Sequence, residues 1–143
     1  MSRHSGSAQW NGSVPAGTGH MQLGKSGPIV SYTLIARVEE EAGTNPEQMI
    51  AAAHAGCFSM ALASLIEETG QDMTDVQINT SAVANLVQKS DGFWIDRVDL
   101  TTRGQVPGMS EQTFIELATI AKATCPVSKL YASAEITLDA GLA

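Results

Sequence analysis

The stretch AAAHAGCFSMALA, residues 51–63, sets one cysteine and one histidine among small apolar residues, and KATCPVSK, residues 122–129, carries the other cysteine. A cysteine reacts as its thiolate, whose formation has an ordinary pKa of about 8.5 that rises in apolar surroundings. Cys57 is therefore either a small core residue, the usual fate of a free cysteine, or a thiol that something activates. The dipole of its own helix cannot do so, because that influence fades within about one turn and Cys57 lies some three turns beyond the helix start at Thr44 or Asn45. A cation is required, and the candidates are Arg37, Lys25 and His54. Arginine suits the role best, since it stays charged and its planar fork can hold a carboxylate and a thiolate together. Glu47 is a candidate to orient it.

Cys125 precedes Pro126, which ends one helix and can open another turn. Such a breakpoint suits a cysteine that moves to meet another; the alternative is an ordinary helix-end residue. As a pair, Cys57 and Cys125 fit a peroxide chemistry: a thiolate attacks the O–O bond, becomes a sulfenic acid and is captured by a second thiol. Two rival readings stay open. His54 and Cys57, three residues apart on one helix face, could hold a metal with Cys125, although no carboxylate completes the set; a hydrogen-bonded core histidine is the commoner role for His54. Both cysteines could also be inert in a binding protein that holds a small apolar ligand.

Ten residues separate Glu47 from Cys57, about 15 Å along a straight helix and nearly 80° around it. They cannot serve one site within one chain. If both take part in the same chemistry, the arginine and glutamate come from a second subunit, at a homodimer interface.

The elements that position these residues are legible as an α+β order of strands and helices. Residues 7–38 read as three strands, the last running through PIVSYTLIARV with Val30, Tyr32, Leu34, Ala36 and Val38 on one face and Arg37 on the other. GTNPEQM starts a helix, with Thr44 and Glu47 at capping-box spacing, Asn45 as an alternative cap and Pro46 in the first turn. That helix runs to about Thr69 and stops at Gly70. It is apolar almost all round from Met49 to Ile66, so it reads as a buried central helix. Residues 75–87 and 93–106 form a hairpin with a turn at 89–92. A second helix starts at Ser110 and ends near Thr124, and SAEITLD closes the chain as a strand. A central helix of about 35 Å exceeds what six strands in one small chain can cover, which again calls for dimerisation.

Composition narrows the function classes. The 143 residues fit a single domain, with 43% hydrophobic and 16% charged residues. A net charge of −7 disfavours nucleic acid and anionic membrane surfaces as partners. No uninterrupted apolar run of about 18 residues is read as a membrane span, and the polar N-terminus lacks the apolar stretch of a secretory signal, so the cytoplasm is the expected compartment. The cysteine spacing matches neither a disulfide scaffold nor a zinc finger, and no cofactor or metal is expected.

AQWNG, ARVEEEAGTNPEQMIAAAHAGCFSMAL and KATCPVSKLYASAEITLD, in this order, closely resemble the OsmC and organic hydroperoxide resistance (Ohr) family, with AHAGCFSMAL and CPVSK nearer its OsmC branch. The resemblance spans nearly the whole chain. It implies an OsmC-like fold: an intertwined α+β homodimer with two mainly antiparallel three-stranded sheets around a long central helix and sites at the subunit interface. It implies a thiol-dependent peroxidase of the peroxiredoxin type, acting in stress defence on organic hydroperoxides and more weakly on hydrogen peroxide. By the same resemblance Cys57 is the peroxidatic cysteine and Cys125 the resolving one, Arg37 activates the thiolate and Glu47 positions Arg37. A dithiol reductant, with a lipoylated protein as one candidate, recycles the disulfide.

Overall fold

The computed structural model describes residues 1–39 and 43–143, so that the Glu40–Ala42 part of the ARVEEEAGTNPEQM motif lies outside the described residues. The chain forms two compact units, Met1–Met49 and Ile50–Ala143.

In the first unit, β1 (Gly6–Asn11), β2 (Thr18–Leu23) and β3 (Ile29–Tyr32) make an antiparallel sheet in that order. Gly19 pairs with Trp10 on one side and Tyr32 on the other. A Cβ at Gly19 would run into the Tyr32 ring, so the glycine leaves room for Trp10 and Tyr32 to pack with centroids 5.3 Å apart. The expected third strand is too long. It ends at Tyr32, and a short helix α1 (Leu34–Val38) follows. Thr33 starts it: its hydroxyl accepts a hydrogen bond from the Ala36 amide at 3.1 Å, and Glu39 N–H closes the far end on Ile35 C=O at 2.9 Å. Five residues are too few for a helical period to stand out from an alternating one, so the threonine cap decides the turn. Arg37 therefore sits in the last turn of α1, not on the polar face of a strand, and Leu34, Ala36 and Val38 do not continue the face of Val30 and Tyr32.

Helix α2 (Pro46–Glu68) carries the central stretch. Of the two candidate caps it uses Asn45. Asn45 Oδ1 accepts from the Gln48 amide at 2.8 Å and Gln48 Oε1 accepts from the Asn45 amide at 3.1 Å, a reciprocal box that satisfies two otherwise orphaned donors. The helix unwinds at Gly70, whose φ of +83° suits glycine. His54, Phe58, Leu62 and Ile66 recur every fourth residue and are fully buried; the three apolar ones contribute roughly 1.5–3 kcal/mol each by leaving water. Within the chain this burial is one-sided. Ala52, Ala53, Gly56, Met60 and Ser64 on the other side are exposed, Met60 by 77%. Contrary to the expectation that nothing in the chain could span a membrane, α2 is apolar enough to do so by length and composition, although His54 and two serines interrupt its apolar run; only a third of its most apolar window is buried.

In the second unit, β4 (Gln77–Lys89) and β5 (Gly92–Gln105) form the expected hairpin, with a register shift at Asn85/Leu86. Helix α3 (Glu111–Thr124), capped by Ser110, and α4 (Pro126–Leu130) then carry the chain over to β6 (Glu135–Leu142), which pairs parallel to β5. A parallel neighbour needs such a crossover. Val98, Leu100, Thr102 and Gly104 alternate inward along β5. Of these, Leu100 joins a core of Phe58, Leu62, Ile66, Phe114, Ala118, Ala121 and Cys125. At Gly104 a Cβ would collide with the Phe114 ring, so glycine there lets α3 close onto the sheet. Ser59 on α2 donates to Thr80 at 2.8 Å, and Thr80 is bonded to the buried Thr102 at 2.9 Å, which ties helix to sheet by polar contacts.

Candidate active site

Cys125 is both the last cap of α3 and the first cap of α4. Its amide reaches back to Ala121 C=O at 2.9 Å, and its own C=O accepts from the Lys129 amide at 3.1 Å. Pro126 enforces this break, since it cannot continue α3 but fits the first turn of α4. The junction places the Cys125 side chain inside the core, fully buried, where Cys57 packs against the same cluster. The two cysteines, 68 residues apart in sequence, are thus neighbours, and both are free thiols.

Their ionisations are linked and pulled in opposite directions. Burial raises the Cys57 pKa, the Cys125 thiol adds to the rise, and the Val127 amide opposes it. Burial also penalises a Cys125 thiolate. Contacts from the Cys57 thiol, the amides of Ser128 and Val127 and the Ser128 hydroxyl outweigh that penalty and lower its pKa. Burial thus works against a Cys57 thiolate within the chain.

Ser128 and His54 adjoin the pair. His54 Nε2 lies 2.8 Å from Ser128 Oγ, and the imidazole meets the edge of Tyr131 at 5.5 Å between centroids. Burial lowers the His54 pKa, so the ring is neutral at neutral pH. This agrees with a hydrogen-bonded core histidine. Ser128 and Tyr131 were not singled out in the sequence, although the position of Ser128, three residues after the α4 cap, was the available signal.

Arg37 and Glu47 meet in the first unit. Arg37 Nε and Nη2 both contact Glu47 Oε1, at 2.9 and 2.7 Å, and Glu47 is buried while Arg37 stays partly open to solvent. Beside them Trp10, Val14, Tyr32, Leu34, Arg37 and Pro46 line a largely apolar pocket of about 240 Å³. The structure thus brings the four sequence-derived residues together as two pairs. Within α2 the ten residues from Glu47 to Cys57 keep those two side chains about 15 Å apart along the axis.

A family model described as OsmC-like protein matches residues 39–140. The chain is 42% identical over 136 residues to peroxiredoxin OsmC of Escherichia coli K12, covering 94% of this chain and 92% of that protein. It is 32% identical over 94 residues to organic hydroperoxide resistance protein OhrB of Bacillus subtilis 168, covering 66% of each. An organic hydroperoxide resistance protein from Elizabethkingia anophelis shares the fold, with a TM-score of 0.75 and 20% identity over 99% of each chain. With two three-stranded sheets, a central helix carrying one cysteine and a second cysteine packed beside it, the chain belongs to the OsmC-like family.

Proposed function

We propose that the chain is a cysteine peroxidase that reduces organic hydroperoxides, and more weakly hydrogen peroxide, in cytoplasmic stress defence. The adjacency of Cys57 and Cys125 carries this reading. The Cys57 thiolate attacks the terminal oxygen of the hydroperoxide; the O–O bond breaks, the alkoxide leaves with a proton as the alcohol, and Cys57 becomes a sulfenic acid. Cys125 then attacks that sulfur, an S–S bond forms, the S–O bond breaks, and hydroxide takes the proton Cys125 gave up and leaves as water. A dithiol reductant, with a lipoylated protein as one candidate by family resemblance, returns both thiols and completes the cycle.

Thiolate formation at Cys57 is assigned to Arg37, oriented by Glu47, of a second copy. Two observations support a homodimer: the spacing of Glu47 and Cys57 on one helix, and the exposed face of α2 with Met60 at its centre. Next to that face Ala52, Ala55, Gly56 and Ser59, with β4 and β5, line an open groove of about 630 Å³. The apolar pocket beside Arg37 suits an organic substituent better than water.

The raised Cys57 pKa favours a second reading, a non-catalytic binding protein with inert thiols. Mass spectrometry after one equivalent of cumene hydroperoxide distinguishes the two: a Cys57–Cys125 disulfide is expected, and two unmodified thiols would overturn the peroxidase reading.

A further inference from the structure

Trp10 and Tyr32 stand side by side in the first unit, and each ring is held in place. Trp10 Nε1 donates to Gly12 C=O at 3.0 Å. Gly12 takes a φ of +90°, which suits glycine, and the turn that follows folds back against the indole. Gly17 N–H donates to Ser13 C=O at 2.7 Å, and a Cβ at Gly17 would press on the Trp10 ring. The Tyr32 ring fills the space that a side chain at Gly19 would need and packs on the indole at an interplanar angle of 45°. The Tyr32 backbone is bridged to Thr44, just before α2, and Asn45 Nδ2 donates to Ala36 C=O at 2.7 Å, which joins α1 to the start of α2.

These two rings wall the pocket of about 240 Å³, whose apolar lining Val14, Leu34 and Pro46 complete. Arg37 supplies the one charge among the described lining residues. Its guanidinium carries five N–H donors, more than the two contacts with Glu47 Oε1 use. A hydroperoxide matches this division, with its oxygens at the guanidinium and its organic substituent against the rings. The pocket is smaller than the roughly 300–1,000 Å³ of sites for drug-sized ligands, and a wall pinned through Gly12, Gly17 and Gly19 does not swing out to enlarge it.

We propose that Trp10 and Tyr32 are specificity-determining residues that select hydroperoxides with a compact branched or single-ring substituent, of the tert-butyl or cumyl type, over long-chain hydroperoxides. The inference rests on the peroxidase reading above and assigns the shape of its substrate. A phenyl substituent can meet the indole and phenol in the tilted or edge-to-face contacts that aromatic rings prefer. The fixed wall also spares binding the cost of ordering those side chains. Hydrogen peroxide has no group to place there.

The alcohol product of cumene hydroperoxide, 2-phenyl-2-propanol, probes the pocket without chemistry. The chain has two tryptophans, so Trp94→Phe, a change at an exposed position, leaves Trp10 as the reporter. In that variant the alcohol is expected to shift tryptophan emission saturably; emission unchanged up to the solubility limit would overturn the proposal. In steady-state assays Trp10→Ala is expected to lower the ratio of kcat/KM for cumene hydroperoxide to that for hydrogen peroxide by about 10-fold, within the range an apolar pocket contributes to discrimination. Trp10→Phe, which keeps a ring, is expected to recover part of that ratio. An unchanged ratio in Trp10→Ala, or a higher kcat/KM of the wild type for linoleic acid hydroperoxide than for cumene hydroperoxide, would also overturn the proposal. A protein that binds the alcohol but leaves cumene hydroperoxide unreduced would instead overturn the peroxidase reading, so the two failures are distinct.

Discussion

Arg37 binds Glu47 through two nitrogens on one oxygen: Nε at 2.9 Å and Nη2 at 2.7 Å from Oε1. The glutamate is the buried partner, anchored in the first turn of α2, so it acts as the fixed post against which the more exposed arginine is oriented. If that arginine activates the thiol, Glu47→Gln and Arg37→Lys lower kcat/KM by about 10-fold or more, because lysine lacks the planar fork and glutamine lacks the charge. Steady-state assays with cumene hydroperoxide check this, and wild-type rates in both variants would remove the pair from the site.

The two cysteines have different expected phenotypes. Cys57→Ser abolishes turnover. Cys125→Ser permits one oxidation per chain but not efficient recycling, which appears as a stoichiometric burst in peroxide consumption with a dithiol present. Equal multiple-turnover rates in Cys125→Ser and wild type would exclude Cys125 as the resolving thiol.

Met60 lies on the exposed face of α2. In a dimer a charge at that position is buried without a partner, so Met60→Glu is expected to shift the protein from twice the 15.0 kDa chain mass to a monomer and to lose turnover with it. Sedimentation velocity and activity, measured on the same sample, test the coupling; an active monomer would refute it.

Gly104 and Phe114 occupy one volume between sheet and helix. Gly104→Ala should destabilise by about 1–3 kcal/mol through overpacking, and Phe114→Ala by about 3–5 kcal/mol through the cavity it leaves. Urea unfolding midpoints measure both.

His54 introduces an acid sensitivity. Its folded pKa lies below the 6.5 of an exposed histidine because burial disfavours the imidazolium. Between those two values the unfolded chain binds the extra proton, so stability falls as the pH drops below about 6.5, and the loss is complete under the folded pKa. His54→Gln should flatten that limb of a stability–pH profile from pH 7 to 5. An unchanged slope would contradict the assignment.

Much of the frame was legible in local sequence. The Asn45 cap, the Ser110 cap, the turn at 89–92 and the stop at Gly70 all depend on groups within a few residues of one another, whereas the capping box expected at Thr44 and Glu47 forms instead between Asn45 and Gln48, with Glu47 bound to Arg37. The spacing of Glu47 and Cys57 was equally readable, since helix geometry alone sets their separation. The path of Arg37 was not, because an alternating apolar run fits both a strand and the five-residue helix that the Thr33 hydroxyl nucleates.

What the sequence by itself determined, then, was which side chains can do thiol chemistry and which local elements carry them. Only the tertiary structure decided that Cys57 meets Cys125, that Ser128 bonds to His54 across 74 positions, and that β6 lies parallel to β5. These are contacts between segments far apart in the chain. Their partners are chosen by which faces the core buries together, a choice that no local spacing records.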